Sequence, residues 1–134
     1  MNRLTRFGAP LAFMLACAAP LASAAPGATL APLMTKDLPE FPGKQLHAFT
    51  VVYPPGGSDP VHRHDSHAFV YVLEGSVIMG VRGQKEVTLN KGESWYEGPA
   101  DIHSVSRNAS SSEPAKFLVV FLKEKGAEDV KPAR

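Results

Sequence analysis

Pro55-Gly56-Gly57-Ser58-Asp59-Pro60-Val61-His62-Arg63-His64-Asp65-Ser66-His67 runs directly into Ala68-Phe69-Val70-Tyr71-Val72-Leu73-Glu74-Gly75. Three of the five histidines fall within six residues, between a Gly/Pro loop and an apolar stretch that ends at a glycine. On a strand, residues two apart point to the same face with Cα atoms about 6.5 Å apart. Imidazoles at that separation can converge on one ion at about 2.0–2.1 Å. His62 and His64 are therefore candidate metal ligands. His-x-His alone is a weak signal, and the loop strengthens it, because Gly56, Gly57 and Pro60 shape a mouth of the kind where loops carry function.

Outward from this stretch the chain reads as short strands separated by turn residues. Leu46 to Tyr53 alternates β-branched and aromatic residues and stops at Pro54-Pro55-Gly56-Gly57. Strands follow at about Ala68–Leu73, Val77–Val81, Glu86–Leu89, Ser94–Tyr96, His103–Ser106 and Ala115–Leu122, with turns at Glu74-Gly75, Arg82–Lys85, Asn90–Gly92 and Gly98-Pro99. Turn signals every 8–12 residues indicate a sandwich or barrel. No long window keeps a helical period free of Gly or Pro, so the chain is expected to be all-β with one domain spanning 46–122.

The flanks differ. Arg3 and Arg6, the apolar run from Leu11 to Ala19 and the small-residue site Ala22-Ser23-Ala24 have the order of a secretory signal peptide over 1–24. The run is too short for a stable membrane span of about 30 Å. The protein is expected to be periplasmic or secreted; the alternative is a lipoprotein anchored through Cys17, to which Met14-Leu15-Ala16-Cys17 is a loose match. Removing 24 of 134 residues leaves 110, takes away the only cysteine, and leaves 12 Lys and Arg of the original 14 against 13 Asp and Glu. That excludes thiol chemistry in the mature chain and offers no field for nucleic acid. Residues 25–45 form a Pro/Ala-rich arm, flexible or laid across the barrel. Residues 123–134 carry seven charges and read as a solvated, flexible tail.

A third ligand must come from elsewhere. His103 follows Gly98-Pro99 and repeats the turn-then-histidine arrangement, whereas His47 stands alone on an apolar face and reads as a packed or hydrogen-bonded histidine. Tyr96 and Glu97, just before the second turn, can act in acid–base chemistry or simply finish a strand. Trp95 reads as core or interface. Arg107 could hold a carboxylate substrate, and with Tyr96 it is a candidate for substrate binding. Asn108-Ala109-Ser110 fits a glycosylation pattern that chance explains.

These residues resemble the cupin superfamily. Its first motif is Gly, five residues, His-x-His, three or four residues, Glu, six residues, Gly; here it is Gly56, His62-Arg63-His64, Ala68 and Gly75. Its second is Gly, five residues, Pro-x-Gly, two residues, His, three residues, Asn; here it is Gly92, Gly98-Pro99-Ala100, His103 and Arg107, with Asn108 one place late. The resemblance implies a double-stranded β-helix, or jelly-roll barrel, with His62, His64 and His103 holding a divalent metal in its mouth. The family's metal-binding glutamate falls on Ala68, or on Phe69 with the longer spacing, and neither can ligate. His67 takes its place if the strand bulges there; by simple alternation it points away. A centre of imidazoles alone favours Zn, Fe, Ni or Cu over Mn, which prefers oxygen. The expected function is a metalloenzyme acting on a small oxygen-rich molecule, by dioxygenation or by isomerase or lyase chemistry on a sugar or keto acid. The alternatives are a non-catalytic module that binds a metal or small ligand, and a structural homodimer with a vestigial site.

Overall fold

The structure, a computed structural model, describes residues 26–133; the expected signal peptide and Cys17 lie outside them. Ten strands occur in the order β1 (Thr29–Asp37), β2 (Lys44–Tyr53), β3 (His62–Arg63), β4 (Ser66–Glu74), β5 (Ser76–Val81), β6 (Val87–Asn90), β7 (Ser94–Glu97), β8 (Ile102–Asn108), β9 (Ala115–Glu124) and β10 (Lys131–Pro132). They form two five-stranded antiparallel sheets, ordered β1-β2-β9-β4-β7 and β10-β3-β8-β5-β6. No helix occurs among the described residues. The all-β fold expected from the turn rhythm, and the jelly-roll that the family resemblance implies, are the observed architecture.

The core follows the strand alternation. Along β4, Ser66, Ala68, Val70 and Val72 are buried while His67, Phe69 and Tyr71 face outward. On β9, Ala115, Phe117, Val119 and Phe121 point in, and on β2, Phe49, Val51 and Tyr53 do. These side chains meet between the sheets with Val77, Met79 and Leu89. A face removed from water in this way is stabilised by about 25 cal/mol per Å² of apolar area, which ties each strand's register to its inward set.

Of the two flanks, the arm takes the second of its expected forms, laid along the barrel, and the tail departs from its expected one. In the Pro/Ala-rich arm, β1 pairs with nearly the whole of β2, from Thr29↔Val52 to Asp37↔Gln45, with an irregularity between Pro32 and Met34. Pro32 is accommodated because β1 is an edge strand, and every residue of β1 is exposed. The tail read as solvated instead folds back. Lys131 and Pro132 pair with Arg63 and His62, and buried Lys123 is bound by the Asp129 carboxylate and by the Ala127 carbonyl at 2.5 Å. Seven charges in twelve residues suggest solvation, but Lys123 pairs with Asp129 inside the tail, and Glu124, Lys125 and Lys131 pair with Lys44, Asp37 and Asp65 of the barrel.

Candidate metal centre

His62 on β3 lies directly across from His103 on β8, so both point to the same interior face of the second sheet. His64 follows at the β3–β4 junction. All three are buried, and one ligand atom from each lies within 4.8 Å of the others. Their ring centroids are 4.7 Å (His62–His64), 4.8 Å (His62–His103) and 6.2 Å (His64–His103) apart.

Backbone carbonyls fix two of the tautomers. His62 Nδ1–H donates to Pro60 O at 2.7 Å, and His64 Nδ1–H donates to Asp129 O at 2.5 Å. With both protons on Nδ1, the two Nε2 atoms present lone pairs to each other at 3.1 Å. Ligating histidines are held in this way by a hydrogen bond from the other ring nitrogen. The carbonyl that holds His64 belongs to the tail, so the tail is part of the site's scaffold.

Glu97 completes the cluster. It is buried on β7, with Oε1 at 3.1 Å from His64 Nε2 and Oε2 at 3.5 Å from His103 Nδ1. Glu97 Oε2 and both nitrogens of His103 are buried without a hydrogen-bond partner. Buried polar atoms are normally satisfied, and a cation satisfies electron pairs of this kind. Burial pushes the His103 imidazole down to about 4, with Glu97 pulling the other way. For His64, burial also disfavours the charge, but the Glu97 carboxylate and the Asp129 carbonyl outweigh it and raise its pKa. Trp95 packs at the edge of the core with its ring 5.0 Å from His103.

The cluster opens on a cavity of about 180 Å³ whose walls include Phe49, Val51, Val70, Phe117, Val119 and Phe121. Leu30 from β1 and Val130 from the tail also line it. A second polar set is present, where Tyr53 OH donates to Asp59 Oδ2 at 2.7 Å with Ser106 Oγ 2.5 Å away. Burial raises the Tyr53 phenol far above its ordinary value, so Tyr53 stays protonated and serves as a donor.

The other candidates lie elsewhere. His67 faces outward on β4, as alternation requires, and its Nδ1 is hydrogen-bonded to Tyr96 OH at 2.6 Å on the outer face. Tyr96 is therefore on the outside of the barrel. Arg107 is exposed and pairs with Glu86 at 3.2 Å. Neither Tyr96 nor Arg107 lines the cavity. His47 is hydrogen-bonded to Asp129 at 3.2 Å. Buried Asn108 uses Nδ2 on the carbonyls of Pro54 and Glu113, a structural duty that closes the loop. Glu97 is the residue whose role the sequence leaves open. The available signal is its position on a short strand before a Gly-Pro turn, which sets parity but not depth.

No curated protein matches the chain. Among solved structures it resembles the DMSP lyase DddQ from Ruegeria pomeroyi DSS-3 at 22% identity, covering 62% of this chain and 41% of the lyase, with a TM-score of 0.56. It thus spans under half of that protein's length. It also resembles TT1209 from Thermus thermophilus at 28% identity, covering 72% and 84%, TM-score 0.57. A third is the polyketide cyclase RemF from Streptomyces resistomycificus at 24% identity, covering 82% and 75%, TM-score 0.61. The family model described as Cupin domain matches residues 49–121, which takes in both histidine motifs and the strands that carry them; the chain belongs to the cupin family.

Proposed function

We propose that this cupin is a mononuclear metal protein that takes a small molecule with an apolar body and an oxygen donor, and that it performs dioxygenase-type chemistry on it. The observation that carries this is the buried cluster of His62, His64 and His103, with two rings fixed by carbonyls, at an apolar cavity. A divalent transition metal in that cluster supplies Lewis acidity and, if redox-active, a place for dioxygen. At about 180 Å³ the cavity is below the roughly 300–1,000 Å³ of drug-sized sites, so the guest is small. Walls of Phe and Val suit an aromatic, enol or diketone body better than a hydroxyl-rich sugar, which would leave polar groups unpaired. The walls orient that body and keep water out, and Tyr53, Asp59 and Ser106 form a hydrogen-bonded polar patch in the lining. Fold neighbours that include a lyase and a cyclase show that the fold does not choose the chemistry.

The test starts with metal content. Protein purified without chelator should carry about one transition metal per chain, and a His62→Ala/His103→Ala variant should carry none; equal content in the two overturns the reading. Dioxygen uptake should follow with small catechols or β-diketones and not with uronates. Metal retained without any turnover favours the non-catalytic binding module.

Export and self-association are part of the same proposal. The N-terminal segment is read as a signal peptide, so the exported protein should begin at Ala25; a lipid on Cys17 would point to the anchored form. The exposed edge strand carries Leu30, Leu33 and Met34, with Phe41 just beyond it, and this supports a homodimer. A monomeric mass in solution by light scattering removes that part.

A further inference from the structure

We propose that Glu97 is the carboxylate ligand of the metal centre, reaching from the neighbouring strand into the place that the family's first motif gives to a glutamate at position 68. This rests on the metal-centre reading above and extends it to a position that the second motif leaves unspecified.

Three observations converge. The first is register. Ala68 on β4 and Glu97 on β7 are directly opposed, and both point inward, at 1% and 2% exposure. Opposed residues on one face have Cβ atoms about 4.5–5.5 Å apart. A glutamate rooted at 97 therefore reaches the space that one rooted at 68 would fill, and alanine at 68 leaves that space free. The loss at one position and the gain at the other form a single exchange across the β4–β7 ladder.

The second is distance. A metal with bonds of about 2.0–2.1 Å holds neighbouring ligand atoms roughly 2.9–3.4 Å apart in octahedral or tetrahedral geometry. The observed separations are 3.1 Å for His62 Nε2–His64 Nε2, 3.1 Å for His64 Nε2–Glu97 Oε1 and 3.5 Å for Glu97 Oε2–His103 Nδ1. These are close to the edges of one coordination polyhedron, with Glu97 between His64 and His103.

The third is the lack of donors. The Nδ1 protons of His62 and His64 are already committed to Pro60 and Asp129, and Glu97 Oε2 has no donor at all. A buried carboxylate facing imidazole lone pairs is costly unless a positive charge lies among them; a proton on His64 would serve Glu97 Oε1 but leaves Oε2 and both nitrogens of His103 without a partner.

The assignment changes the chemistry expected of the site. With three imidazoles and one carboxylate a divalent ion keeps a formal charge of +1 instead of +2. The oxygen ligand removes the argument against Mn, so Mn(II) and Fe(II) join Zn, Ni and Cu as fitting ions.

The test uses Co²⁺ as the probe, read by its visible absorption and by competition titration, with circular dichroism and thermal melts as folding checks. Wild type should bind Co²⁺, and His62→Ala/His103→Ala should not. A wild-type chain that fails to bind overturns both the centre and this proposal. Glu97→Gln keeps the shape and removes the charge; it should weaken Co²⁺ binding by about 10–100-fold and change the d–d spectrum. The exchanged chain Ala68→Glu/Glu97→Ala conserves volume and should recover binding relative to Glu97→Ala. Glu97→Gln with wild-type affinity and spectrum overturns the assignment and leaves the three-histidine centre standing. So does an exchanged chain that folds yet binds no better than Glu97→Ala.

Discussion

His62 and His64 stand two residues apart, yet they are held by distant parts of the chain: one by the adjacent Pro60, the other by Asp129 in the tail. The third histidine, His103, has no such holder, and its buried imidazole titrates at about 4. A histidine whose folded pKa lies below its ordinary 6.5 binds fewer protons folded than unfolded, so its contribution is present above 6.5 and is lost as pH falls toward 4. At about 1.4 kcal/mol for each unit the fall is on the order of 3 kcal/mol. His64 has a raised pKa, and its contribution is complete below 6.5 and lost as pH rises through its folded value. The metal-free chain should therefore be most stable near pH 6.5. Urea midpoints at pH 4.5, 5.5 and 6.5 should rise in that order, and His103→Asn should flatten the slope; an unchanged slope in the variant assigns the effect elsewhere. The sequence displays the histidines well, because His-x-His parity and the two Gly-bounded motifs are local patterns. Glu97 is hidden, because its meaning comes from facing Ala68 across a ladder, and the register between two strands far apart in the chain is not written locally.

The core strands are legible because they alternate, while β1 and β10 are not. β1 is an exposed edge containing Pro32, with no buried side to impose a period, and β10 is two residues long. Both bear on the site, β1 through Leu30 and β10 by anchoring the residues just before it, Val130 and the Asp129 carbonyl. The tail is held by Asp129, whose carboxylate binds His47 and Lys123; burial opposes its charge, but these partners win and lower its pKa. Deleting residues 128–134 should leave the main sheets formed and weaken metal binding about 10–100-fold, because His64 loses the carbonyl that sets its tautomer. Wild-type affinity in the truncated chain would show that this bond orients nothing. A second element-level case is the β4–β5 turn. Gly75 has φ 69°, and a Cβ there would stand 2.7 Å from the Pro114 carbonyl oxygen. Gly75→Ala should cost about 1–3 kcal/mol in chemical unfolding, whereas Gly83→Ala, also at positive φ but with open space around it, should cost less. Equal losses would reduce both to backbone strain alone.

Across the molecule, the cluster sits where the two sheets are joined. His62 and His103 belong to one sheet, Glu97 to the other, and His64 to the junction between them. An ion held there cross-links the sheets at one end of the barrel, and without it that end keeps buried carboxylate and imidazole atoms with no partners. Because the unfolded chain has no preformed site, binding free energy adds to folding free energy. Free metal at about 100 times its dissociation constant adds roughly 2.7 kcal/mol. For a domain of about 110 residues, that corresponds to a rise of roughly 10 °C in Tm. Stripping the metal by chelation should lower Tm by that amount, re-addition should restore it, and the His62→Ala/His103→Ala variant should melt at the same temperature with or without metal. Hydrogen exchange locates the effect: protection should fall on β3, β7, β8 and β10, which meet at the centre, and remain on β6 at the far edge of the second sheet. Uniform loss across both sheets would mean that the ion stabilises the barrel generally and does not act as a local cross-link.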